Sequence, residues 1–177
     1  MSFSFTKPIH AAGMGGALCA PTEEIKRVTA APEQLVRQAR LPELNAAYLC
    51  ESWSSLHDNI AHLREVYDIY TKALEPRGFQ AQAEVGISTR IHAPFLLPAA
   101  IANRREELLR SSEASGVQAR AQFPSQSRLL GLGRAPAVSA DVGARVVSLP
   151  SGAGLDLNLI PKIADRFLTQ VDGLLST

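Results

Sequence analysis

Cysteine is scarce in this chain of 177 residues, which holds two, Cys19 and Cys50. Two thiols with no metal-like spacing make neither a disulfide framework nor a zinc site, and the expectation is reduced thiols in a cytoplasmic protein. Charge of one sign is not in excess: 18 Lys and Arg stand against 17 Asp and Glu, a formal net charge of +1. That balance gives no electrostatic reason to expect nucleic acid or an acidic membrane surface as a partner. No apolar run approaches the ~20 residues of a membrane span. The N-terminal stretch has no charged region followed by a long apolar one, so it does not read as a secretory signal. Histidine numbers four, scattered, and His57 and His62 are five apart on one predicted helix, poor spacing for a shared ligand. No metal is expected. With 46% hydrophobic and 20% charged residues, the composition is that of a soluble globular protein with one good core or two small ones.

The first twenty residues, MSFSFTKPIHAAGMGGALCA, carry the most chemistry. A short β-like run over 2–5 leads to a single lysine, Lys7. A glycine-rich turn over 13–16 follows, and then a second apolar run over 17–20. A lysine amine condenses with an aldehyde only when deprotonated, which burial or a neighbouring cation favours. Taken alone, these residues also fit a solvated lysine near a frayed terminus.

Downstream, Thr22 with Glu23 and Glu24 reads as an N-cap and acidic first turn of a short helix to about residue 30. The strongest periodic signal runs through Leu49, Trp53, Leu56, Ile60, Leu63, Tyr67, Tyr70 and Leu74, spaced alternately four and three. It predicts one nearly continuous helix over 42–74, on the order of 50 Å long at ~1.5 Å per residue, with its aromatic residues in the core. Pro76 and Gly78 stop it. Alternation predicts strands over 90–97, 117–123 and 145–149 in one small, mainly antiparallel sheet. Helices over 99–115 and 159–175 should pack on it, with Gly116 as a left-handed cap. Ser139 suits the start of a single helical turn. The loop over 122–136, with Arg120, Arg128 and Arg134, could meet an anionic group, or be a solvated basic loop.

Ser2-Phe3, then Lys7, a loop and Gly15-Gly16-Ala17 resemble the cofactor-lysine segment of DegT-type sugar aminotransferases. These are pyridoxal phosphate (PLP) enzymes of the aspartate-aminotransferase-like fold type I. The block from Arg40 to Ala47, RLPELNAA, resembles a second family motif. The long helix ending in Tyr70 and Leu74 and the closing pieces Gly116-Val117, Phe123-Pro124 and Ser148-Leu149-Pro150 follow in family order. The resemblance implies that Lys7 is the Schiff-base lysine and that Ser2 contacts the cofactor phosphate. The lysine also argues against the family's sugar dehydratase branch, which carries histidine there. One motif departs from the pattern: Val36 stands at a family glycine and Gln38 at a family asparagine that reaches PLP phosphate across subunits. Gln38 keeps an amide donor on a longer arm.

The resemblance further implies an α+β, partial PLP-transferase-like fold. Residues 1–40 would be a β-hairpin remnant of the cofactor-binding large domain, 41–75 a long bridging helix, and 76–177 a small C-terminal α/β domain with a mainly antiparallel sheet. The family's phosphate-binding helix terminus, stacking ring and pyridinium acid lie ahead of the lysine motif, outside this sequence. The expectation is therefore the C-terminal half of an aminotransferase acting on a keto-sugar or similar carbonyl. PLP would be held only with a protein partner supplying the N-terminal half, in a hetero-oligomer. The alternatives are a catalytically inactive assembly subunit and a truncated piece of a longer enzyme.

Overall fold

The computed structural model describes residues 2–4, 6–13, 15–17, 19–29, 40–86, 88–122, 127, 130–131, 133 and 136–176. The chain divides into two compact units, Met1–Ala61 and His62–Thr177.

In the first unit, α1 spans Thr22–Thr29 and α2 spans Glu43–Trp53. A third helix, α3, spans Leu56–Leu74, beginning in the first unit and ending in the second. Proline, rather than a hydroxyl or carboxylate, starts the early helices. The carbonyl of Pro21 accepts from Ile25 N–H at 3.1 Å, so Thr22 is the first helical residue and not the cap expected of it. Pro42 precedes α2 in extended backbone, and its carbonyl accepts from Ala46 N–H at 2.9 Å.

The helix predicted over 42–74 is two helices with a turn at Ser54 and Ser55. Local hydroxyls account for the interruption. Ser52 Oγ donates to Leu49 O at 3.1 Å and Ser54 Oγ to Glu51 O at 3.0 Å, so side chains compete with the amides of the helix for its carbonyls. Ser54 keeps right-handed helical backbone, and the turn interrupts the hydrogen-bond ladder without reversing the chain. The apolar stripe holds where it reaches the second unit: Leu63, Val66, Tyr67, Tyr70 and Leu74 are buried. It fails in α2, where Trp53 is 49% exposed and no residue is buried.

The second unit holds three strands, β1 (Gln80–Ala81), β2 (Ala93–Leu96) and β3 (Val146–Leu149), in the order β1-β2-β3. Both pairings are antiparallel, with Gln80 opposite Leu96 and Phe95 opposite Val147. The segment expected as a strand over 117–123 forms no strand among its described residues. It meets β3 only at Arg120, whose N–H and C=O exchange hydrogen bonds with Ser148 at 2.9 and 2.8 Å. The strand expected over 90–97 begins only at Ala93, because Arg90 takes a left-handed φ of 51° that no strand accommodates.

Further helical segments follow in this unit among the described residues. A 3-10 stretch over Ala99–Arg104 runs into α4 (Arg105–Ala114). The single turn expected near Ser139 is a nine-residue helix, α5 (Ala137–Arg145), which passes directly into β3. Leu97 N–H donates to Arg145 O at 3.0 Å and fixes that junction against β2. The last helix, α6, spans Ile160–Leu175. Gly116 closes α4 as expected: with φ 86°, it lets Val117 N–H reach Ser112 O at 2.8 Å and its own N–H reach Glu113 O at 2.9 Å. Gly78 ends the helical run after α3 in the same way.

The core of this unit gathers Tyr70, Phe95, Leu97, Ile101, Leu108 and Phe167, all 0–1% exposed. Tyr67 stacks on Phe95 at 5.1 Å and Phe79 meets Phe167 at 5.8 Å. Tyr70 is buried, and its hydroxyl donates to Pro150 O at 3.0 Å. Burial holds that phenol well above its ordinary pKa, in its neutral donor form.

Candidate cofactor-lysine site

Lys7 sits, half-buried, on a closed loop of the first unit. The loop is tied at its neck by Phe3. The Phe3 N–H donates to Gly15 O at 2.8 Å and its carbonyl accepts from Ala11 N–H at 2.9 Å. Ser2 pairs with Gly16 in an isolated antiparallel bridge, a trace of the expected hairpin. Gly15 allows a close approach: a β-carbon there would lie 3.1 Å from Leu41 Cδ1 and 3.3 Å from Ala11 Cβ, so a neighbour would have to shift by a few tenths of an ångström. Phe3, Ile9 and Ala11 form a small buried cluster with Leu41, Leu49 and Leu56 against it. Among the described residues of the loop, Phe3 on one side of the lysine and Ile9 and Ala11 on the other are buried.

The polar backbone of this loop is captured by the helices. Asn59 Nδ2 donates to Pro8 O at 2.7 Å, Ser52 Oγ to His10 O at 3.5 Å, and Asn45 Nδ2 to Ala11 O. Positions 45, 52 and 59 recur every seven residues, so they line one side of α2 and the start of α3. The His10 ring stacks on Tyr48 at 5.2 Å, and its Nδ1 accepts from Ala12 N–H at 3.2 Å. The lysine is therefore presented from a loop with fixed carbonyls, and reading apolar periodicity alone misses the polar stripe that fixes them.

Of the expected site residues, Lys7 closes a turn that starts at Ser4, and Ser2 lies just before that turn, in the bridge to Gly16. Ser4 N–H donates to Ser2 Oγ at 3.5 Å, and Lys7 N–H to Ser4 O at 3.0 Å. Among the described residues no hydrogen bond joins the Ser2 and Lys7 side chains directly. Ser2 is exposed and Ser4 half-buried. One amine and two hydroxyls within six residues of chain make a donor set able to engage an aldehyde carbon and an anionic oxygen group. Val36 and Gln38 lie outside the described residues, as do Arg128 and Arg134 of the basic loop. No cluster of histidine, cysteine, aspartate or glutamate suited to a metal occurs among the described residues, and no described helix is long and apolar enough to cross a membrane.

The chain is similar in fold to several solved structures. PseC of Helicobacter pylori, an aminotransferase involved in the biosynthesis of pseudoaminic acid, superposes with a TM-score of 0.79 at 19% identity, over 94% of this chain and 51% of that one. A DegT DnrJ EryC1 StrS aminotransferase from Brucella abortus gives 0.76 at 20% identity, over 95% and 49%. The sugar aminotransferase Spr1654 from Streptococcus pneumoniae, in its PMP form, gives 0.77 at 13% identity, over 99% and 51%. This chain spans about half the length of each. No curated protein matches its sequence. Residues 1–168 match the sequence pattern of one family, and on that match the chain belongs to the DegT/DnrJ/EryC1/StrS aminotransferase family.

Proposed function

We propose that this chain is the lysine-bearing half of a PLP-dependent aminotransferase, with Lys7 as the residue that holds the cofactor and moves the proton. The observation that carries this reading is the fixed, half-buried loop presenting Lys7 beside Ser2 and Ser4. PLP, when bound, supplies the electron sink for transfer of an amino group to a keto-sugar or similar carbonyl. Lys7 Nζ would hold it covalently and, when released, carry a proton as general base. The Ser2 hydroxyl would donate to the phosphate. Asn45, Ser52 and Asn59 act at one remove, holding the carbonyls of Pro8, His10 and Ala11 so that the lysine stem leaves the loop in one direction.

The remaining cofactor contacts fall to the other half of the fold, on a partner polypeptide in a hetero-oligomer. Each charge-assisted contact is worth about 1.5–3 kcal/mol. Without two or three of them, cofactor affinity falls by several powers of ten at ~1.4 kcal/mol for each. The test is borohydride reduction of the purified complex with PLP, followed by peptide mapping. A reduced cofactor adduct on Lys7, abolished in Lys7→Ala, is the expected result. A colourless complex with no adduct, or an adduct only on a lysine of the other polypeptide, would overturn the reading. The second reading, a non-catalytic assembly subunit, is favoured by one feature, Val36 and Gln38 at positions where the family has glycine and asparagine.

A further inference from the structure

The second unit contains a cavity of about 570 Å³. Its floor is the face of the sheet turned away from the core. Along β2 burial alternates: Ala93 and Phe95 are in the core, while Pro94 and Leu96 are half-buried on the other side. Leu96 stands opposite both Gln80 and Val146. An antiparallel sheet with one face on the core normally turns polar residues outward. Here the outward face carries Pro94, Leu96 and Val146 beside the polar Gln80 and the buried Ser148. Val142 of α5 and residues 88–92 complete the wall. Exposed apolar side chains continue from it, Val138 at 77% and Val142 at 38%, one turn apart on α5.

One charged group lines this apolar space and is itself buried. Arg90 is 8% exposed, and its guanidinium lies over the Tyr67 ring at 4.1 Å. Arg90 Nη2 donates to Gln82 O at 3.3 Å and approaches Glu84 Oε2 at 3.5 Å. Its backbone takes the left-handed region at φ 51°, which costs a residue with a β-carbon free energy and persists only where the surroundings enforce it. The enforcement is visible. Glu84 Oε1 accepts from Ser88 N–H and from Arg64 Nη1, each at 3.0 Å, and Arg64 also reaches Ser88 O at 3.2 Å. The Ser88 hydrogen bond, with Arg64 and Arg90 nearby, keeps the Glu84 carboxyl below its ordinary pKa and so ionised. Two guanidiniums therefore share the Glu84 carboxylate.

We propose that this cavity binds a small amphiphilic monoanion, a flat apolar body bearing one carboxylate or sulfonate group. The volume lies within the ~300–1,000 Å³ of small-molecule sites, and the pattern of apolar walls with one placed charge is that of such sites. The apolar body lies on Pro94, Leu96, Val142 and Val146, and the anion is drawn to Arg90. The proposal does not depend on the role given to Lys7.

A matched pair of probes tests it in the full chain: anilinonaphthalene sulfonate, and phenylnaphthylamine, which is the same body without the charge. Fluorescence titration should give one sulfonate probe per chain, bound at least about tenfold more tightly than the neutral one. Val142→Trp fills the cavity from a partly exposed position, and it should abolish binding of both probes while leaving the circular dichroism melt unchanged. Arg90→Met should bring the sulfonate probe to the affinity of the neutral one. Equal affinities in the natural chain, or undiminished binding in Val142→Trp, would overturn the proposal. Those two readouts stand even where Arg90→Met fails to fold.

Discussion

Asn59 shows how much of the lysine site rests on single polar side chains. Its amide donates to Pro8 O at 2.7 Å across 51 positions of sequence, and Asn45 does the same for Ala11. A proline carbonyl has no amide on its own residue to balance, and in a half-buried loop it needs a donor. Asn59→Ala should lower stability of the first unit by about 1 kcal/mol, the net worth of one such bond. Asn59→Asp, similar in shape but unable to donate when ionised, should do at least as much. Chemical denaturation followed by Trp53 fluorescence measures both, and an unchanged midpoint in both variants would show that the loop is held by its apolar cluster alone. The glycine-rich turn was legible in the sequence because its geometry is local. The Asn45, Ser52 and Asn59 stripe was not, because periodicity sorts residues by hydropathy and these three read as a solvated face.

At the scale of elements, packing was legible and backbone detail was not. The four–three spacing located α3, since Leu63, Tyr67, Tyr70 and Leu74 must share one face to be buried together. The same spacing continued through Trp53 and gave no sign of the turn at Ser54 and Ser55, which is made by hydroxyl bonds within one turn of chain. Alternation matched burial over 117–120, with Val117 and Ala119 inward, and failed at Ala121, which is exposed; only Arg120 pairs with β3. Burial on alternate residues does not require a ladder. Gly116 was legible because its role is conformational. At φ 86°, a β-carbon there meets only Arg166 Nη1, at 3.7 Å. Gly116→Ala should therefore cost about 1–2 kcal/mol from backbone strain and not from a clash. Asparagine, which tolerates this region better, should recover part of it. Thermal melts of the two variants test the order, and an alanine variant as stable as the natural chain would show that α4 can end another way.

For the whole molecule, the two units differ in what holds them. The second unit has a contiguous core running from Val66 to Leu174 through three strands and three helices. Among the described residues, the buried cluster of the first unit is Phe3, Ile9 and Ala11, with Leu41, Leu49 and Leu56 partly covered. Apolar surface removed from water is the main favourable term in folding, at roughly 25 cal/mol per Å². The first unit gains less of it, and it leaves Leu44 82%, Tyr48 45% and Trp53 49% exposed on α2. It should open at lower denaturant than the second. Two sets of probes separate them. Trp53 is the single tryptophan and reports the first unit, while near-ultraviolet circular dichroism of Tyr67 and Tyr70 reports the second. Hydrogen exchange gives the same comparison bond by bond. The Phe3 and Ala11 amides, which tie the lysine loop, should exchange well before the Ser148 amide bonded to Arg120 O. Coincident transitions and equal protection would mean the units unfold as one. If the proposed function is right, adding the other half of the fold should slow exchange at Phe3 and Ala11 and leave Ser148 unchanged. The loop that presents Lys7 would then become fully ordered only when the rest of its cofactor site is present.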